Sequence, residues 1–168
     1  MINKYGADSV RWFILSDSPP EKDVQWSDNG VVSANKFLQK IWNLNQNIIN
    51  LNSEKTSDSI NEKKISEKID LYVFKITNYI DNFQFNVCIA QFYEAYKFLN
   101  DQLSKRVDKK VLTANLVKIM KLLIPFTPHL ANECLENLKT KNINDWPTVE
   151  KNIMSKVEIN LVVQINGK

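Results

Sequence analysis

The chain has one histidine and two cysteines in 168 residues. Cys88 and Cys134 are 46 positions apart and form no CxxC pair. With a single histidine, His129, no zinc cluster can be assembled. Both cysteines fall within apolar helical patterns, which reads as buried free thiols in a reducing compartment. Arginine is nearly absent, at 11 and 106 only, so the positive charge is carried by lysine. Three glycines and five prolines leave few places to break the chain, which favours long helices. No Gly-rich phosphate cradle is present. No nucleophile–base pair can be argued. There is no signal-peptide pattern, and no apolar run approaches the roughly 18 residues that span a bilayer. A soluble cytoplasmic protein without membrane contact is expected.

What is there is an apolar fraction of 43% and a formal net charge of +3, enough for a real core and weakly suggestive of an anionic partner. Tyr5 to Leu15 reads as a helix, ended by Pro19-Pro20. Glu21 to Ser27 is a polar loop or short strand carrying Trp26, and Ser27 or Asp28 is a plausible N-cap. From Val31 to Leu51 the apolar residues Ala34, Phe37, Leu38, Ile41, Leu44 and Ile48 recur with a period near 3.6. Asn52 to Glu62 reads as a mobile polar connection. Further helical stripes run from Ile65 to Ile80, from Phe85 to Leu103, from Val111 to Ile124, and from His129 to Leu138. The tail changes period: Val157, Ile159, Leu161, Val163 and Ile165 alternate with other residues, which predicts a strand. Asn166-Gly167 is a hairpin-turn signal. The expected fold is mainly α, an up-and-down helical bundle with a short C-terminal β-strand. Three parts are expected: a junction over 1–30, the bundle over 31–145, and the start of a further domain over 146–168.

Particular residues stand out against this background. Tyr5-Gly6-Ala7-Asp8 opens the first helix, and Trp26-Ser27-Asp28 precedes Gly30-Val31 and the basic helix. Asn35-Lys36-Phe37-Leu38-Gln39-Lys40-Ile41-Trp42 puts Lys36 and Lys40 at i, i+4 on one face, away from Phe37, Ile41 and Leu44. Pro125 and Pro128 interrupt Leu122–Leu138, Trp146-Pro147 follows, and Val162–Lys168 reads VVQINGK. In this order the landmarks resemble the leucyl-tRNA synthetases. The first is similar to the stretch just after their catalytic loop, the second to the end of their anticodon-binding bundle, the third to the entry to their C-terminal domain. The middle, Asn52 to Lys110, carries no signature of its own.

The resemblance implies a non-catalytic piece of a leucine–tRNA ligase. Its role would be to position the leucine tRNA while a catalytic domain N-terminal to Met1 performs the chemistry. ATP and magnesium would belong to that parent enzyme, and none to this piece. The tRNA-binding candidates it implies are Lys36 and Lys40, where the family commonly places Arg or Lys, with Asn35 in the same run and Arg11 before it. Lysine keeps the charge of arginine and loses its bidentate fork. Arg11 has a structural alternative, pairing with Asp8 at i+3. Trp12, Trp26 and Trp42 read as packing the junction, with base stacking as the alternative, and His129 as a capping or packing residue. Leu135, Asn132 and Asn43 depart from the family pattern. A helical protein–protein interaction module is the alternative function. The tail strand could pair with a second copy and give a dimer.

Overall fold

The computed structural model describes residues 1–52, 59–105 and 107–149. Seven helices are present among them: α1 (Ile2–Tyr5), α2 (Ala7–Asp17), α3 (Asp28–Ile49), α4 (Ser59–Asp81), α5 (Phe85–Gln102), α6 (Lys109–Leu123) and α7 (Pro128–Asn137). The result is a helical bundle, as the periodicity predicts. The alternating tail, Val157–Ile165, and the turn after it lie outside the described residues.

Local chemistry sets the helix ends. The expected helix from Tyr5 to Leu15 is α2, which starts at Ala7, and a short α1 precedes it; Gly6 between them takes φ 79°, ψ 159°, a conformation that suits glycine and interrupts the helical ladder. Asp17 ends α2 where Ser18 turns extended ahead of Pro19. The Ser27 hydroxyl accepts from the Gly30 N–H at 3.1 Å and starts α3, and the Asp108 carboxylate accepts from the Lys110 N–H at 2.6 Å and starts α6. Pro128 occupies the first turn of α7, where no N–H is needed. With glycine scarce, Phe83 and Lys139 take positive φ just past α4 and α7, the position glycine usually fills. The polar connection is shorter than expected. α4 already begins at Ser59, and Ile60 is helical but 63% exposed, so it carried no apolar rhythm to read.

The helices do not pack simply in chain order. α2 lies against both α3 and α5, α4 packs on α5 and α6, and α6 packs on α3 and α7. Trp12 of α2 is the wedge. It is 1% exposed, and its ring centroid lies 5.2 Å from Phe37 of α3 and 5.9 Å from Phe92 of α5. Phe92 passes the contact on to Phe126, at 5.2 Å and 74°, in the α6–α7 link. Tilted and edge-on ring pairs of this kind add to the burial of large apolar surfaces. The α2–α3 approach is close at Gly30, where an added Cβ would stand 2.3 Å from Phe13 Cε2 and 2.6 Å from Phe13 Cδ2.

Polar links lock these faces together. Lys118 of α6 pairs with Asp70 of α4. Lys109 Nζ donates to the Ile49 carbonyl at the end of α3, where cations are favoured. Asn115 donates to Ser66 Oγ at 3.1 Å across α6 and α4. The chain beyond α7 returns over α4: Lys121 Nζ holds the Asn142 carbonyl at 2.8 Å, and the Trp146 indole N–H donates to Thr77 Oγ1 at 3.0 Å. Trp146, Pro147 and Val149 thereby wall a groove with Val73, Phe74 and Thr77.

Candidate nucleic-acid interface

The start of α3 is built as a rigid corner. Trp26 sits edge-on to Phe13, with centroids 5.6 Å apart at 83°, and its indole N–H donates to Asp28 Oδ1 at 2.7 Å. Ser27 caps the helix at the same place. Trp26 remains 54% exposed, so it packs the junction only in part. Trp12 is wholly inside and Trp42 half-buried.

From this corner α3 carries the basic run. Phe37, Leu38 and Ile41 are buried, and Lys36 and Lys40 are exposed. At about 100° per residue, Lys36 and Lys40 lie about 100° and 60° to one side of Phe37, so they share a face and stand about 6 Å apart along the axis. Neither belongs to an ion pair among the described residues. That separates them from Lys109, Lys118 and Lys121, whose ammonium groups are already bound to carbonyls or a carboxylate. Two unneutralised cations on a rigid helix can attract an anion without first breaking an internal pair.

The other two candidates are tied inward. Asn35 donates to the Tyr5 carbonyl and to Ser9 Oγ, each at 3.2 Å, and accepts from Gln39 Nε2 at 3.0 Å. It stitches α3 to the first two helices. Arg11 Nε donates to the Phe126 carbonyl at 3.2 Å and an Nη2 hydrogen to the Pro125 carbonyl at 2.6 Å. These are carbonyls that prolines and the end of α6 leave without helical partners. The i+3 pairing of Arg11 with Asp8 is not what forms. Asp8, 7% exposed, reaches α7 instead: Oδ2 accepts from the Leu130 N–H at 2.7 Å and Oδ1 lies 2.9 Å from His129 Nδ1. Thr127, the N-cap residue, makes no side-chain cap, so a carboxylate 122 residues away caps α7 in its place. His129 meets Asp8 but, with its side chain 78% exposed, neither packs nor caps α7 itself; the expected capping falls to Asp8.

Burial pushes both thiols up to about 12, so Cys88 and Cys134 stay protonated and inert. Among the described residues no group of three or more His, Cys, Asp or Glu is placed to hold a metal, and no helix is long and apolar enough to cross a membrane. One exposed aromatic against the same helix escaped sequence reasoning. Tyr93 of α5 stacks on Phe37, yet it lies off the apolar stripe of its own helix and is 43% exposed. An aromatic just off a buried stripe is the signal that marks it.

Comparison with known proteins identifies the family and the fold. Residues 62–168 match the family model described as the anticodon-binding domain of tRNA ligase. The leucine–tRNA ligase of Fervidobacterium nodosum is 36% identical over the whole chain, which spans 22% of that relative. That of Petrotoga mobilis is likewise 36% identical with 22% of its length covered, and that of Ehrlichia chaffeensis 31% identical with 21% covered. The chain therefore spans about a fifth of the length of the curated relatives it matches. In structure it is similar to the LeuRS of a ternary LeuRS–tRNA–LeuAMS complex from Agrobacterium radiobacter K84. The TM-score is 0.77 at 22% identity, with 90% of this chain and 21% of that one covered. The family model covers well over half of the sequence, and the ligase relatives align along all of it: the chain belongs to the anticodon-binding domain family of tRNA ligases.

Proposed function

We propose that this chain binds leucine tRNA along its phosphate backbone and positions it for ATP- and magnesium-dependent aminoacylation carried out by a catalytic domain of the same synthetase. The observation that carries this reading is the pair Lys36 and Lys40, exposed on one face of α3 and free of ion pairs among the described residues. Contacts of this type supply affinity and register, not sequence reading. Asn35 and Arg11 serve the same end from inside, by holding α3 against α2 and α2 against the α6–α7 link. On this reading the segment up to residue 30 is the junction to the catalytic part, and the chain from 146 onward opens a further domain. The contribution to chemistry is entropic: a tRNA held in place reacts as part of the complex. No residue here takes part in bond making, and the chain alone forms neither aminoacyl-adenylate nor aminoacyl-tRNA.

The test is a salt titration of binding to leucine tRNA and to an unrelated tRNA. Binding weakens with salt, and Lys36→Ala/Lys40→Ala lowers the affinity and reduces the log–log salt slope by about 1 to 2. A variant that binds with an unchanged slope would return both lysines to the role of a solvated face.

A further inference from the structure

Tyr93 combines two properties that rarely coincide on a helix surface. The residue is 43% exposed, and its ring is also held from behind. Phe37 lies under it with centroids 3.8 Å apart and a 37° tilt, and Trp12 meets it edge-on at 6.0 Å and 69°. Both supports are core residues, Phe37 4% and Trp12 1% exposed, so the ring rests on a fixed base. An ordinary surface tyrosine loses rotamer freedom when something stacks on it; this one has already lost it on folding.

The surroundings say what kind of molecule fits. Phe37 also touches Tyr96 of α5, centroids 5.5 Å apart, so α5 flanks α3 along the edge marked by Phe37. Lys36 and Lys40 lie to one side of Phe37, at residues −1 and +3 from it, and are exposed. On α5, Lys97 follows Tyr93 by one turn, is exposed, and belongs to no ion pair among the described residues. The acidic side chains nearest Lys97 on its own helix are Glu94, about 100° round the helix from Tyr93, and Asp101, one turn beyond Lys97; both are exposed and neither pairs with it. A pre-set aromatic ring whose two supporting helices carry exposed lysines, Lys36 and Lys40 on α3 and Lys97 on α5, suits a nucleotide: a base over the ring and phosphates to the lysines. A protein partner would use the ring without needing the cations.

We propose that Tyr93 is a stacking platform for an unpaired base of the bound RNA, with Lys97 extending the phosphate surface of Lys36 and Lys40 onto α5. This rests on the RNA-binding reading above and adds a contact to base rather than backbone. The Tyr93 contact is insensitive to salt and needs a base free to leave its stack. The lysine contacts are salt-sensitive and serve any duplex.

The experiment compares wild type, Tyr93→Phe, Tyr93→Leu and Lys36→Ala/Lys40→Ala for binding to leucine tRNA and to a fully paired RNA duplex. Tyr93→Leu is expected to weaken tRNA binding about 5- to 100-fold with the salt slope unchanged. Tyr93→Phe should keep the affinity, and neither should alter duplex binding. Equal tRNA affinity for Tyr93→Leu and wild type, while the lysine variant weakens both RNAs, would overturn the platform and leave the backbone reading standing. Failure of the wild type to bind either RNA would overturn both. Should Tyr93→Leu lose its helical signal, ultraviolet cross-linking of wild type to the tRNA decides. An adduct at Tyr93 upholds the inference, and adducts confined to other peptides overturn it.

Discussion

Gly30→Ala tests a close approach between α2 and α3. The new Cβ would stand 2.3 Å and 2.6 Å from two carbons of the Phe13 ring. Carbon pairs are comfortable at about 3.5 Å or more, so the ring must retreat by about 1 Å. It has little room to do so. Phe13 is 5% exposed, and Trp26 stands edge-on against it, itself held by a hydrogen bond to Asp28. Overpacking of this size costs about 1–3 kcal/mol. Alanine recovers up to about 1 kcal/mol of helix propensity, less here because Gly30 lies in the first turn of α3. The expected net loss is about 1–2 kcal/mol. Urea unfolding followed by helical circular dichroism should show the midpoint falling at constant slope. Phe13→Leu removes the ring atoms in the way, so Gly30→Ala in that background should be neutral or stabilising. A stabilising Gly30→Ala in the wild type, or the same cost in both backgrounds, would refute the steric argument.

Other consequences can be checked with the same assay. Asp8→Ala should cost about 1–3 kcal/mol, since it leaves the Leu130 N–H without its acceptor at the start of α7. His129→Ala should stay within about 0.5 kcal/mol, its side chain being 78% exposed; equal losses from the two variants would contradict the capping account. Arg11→Lys should lose up to about 1 kcal/mol, because one ammonium does not reproduce the fork to the Pro125 and Phe126 carbonyls, while tRNA affinity is unchanged. An affinity loss at intact stability would make Arg11 an RNA contact. Cys88 and Cys134 should resist a thiol reagent until the chain unfolds, and rapid labelling of the native protein would contradict their burial. Both thiols are raised from 9.0 to about 12 on folding. Their contribution is therefore whole below pH 9 and falls as pH rises towards 12, because the unfolded chain gives up the protons first. Replacing either cysteine by alanine should flatten that alkaline decline.

The sequence by itself determined the helices and their buried faces. Periodicity near 3.6 is a local property, so the stripes through Phe37, Ile69, Phe92 and Leu116 could be read residue by residue, and all four are core. Proline and the serine cap marked the ends of α2 and the start of α3 for the same reason. Gly6 was visible, yet whether it would continue the helix or break it depended on φ, which only the folded chain shows. The basic face of Lys36 and Lys40 was legible because exposure on an amphipathic helix follows from its opposite face. Partnerships between distant residues were not legible. The i+3 spacing of Asp8 and Arg11 proposed a local pair, and packing of α2 against the α6–α7 link won, because unmet N–H and carbonyl groups at those helix ends bind each charge more fully than the other charge would. Tyr93 became a supported surface ring only once α2 and α5 had closed on Phe37. Helix faces are written in short-range order; which faces meet is decided by how the helices exclude water together, and that competition has no local signature.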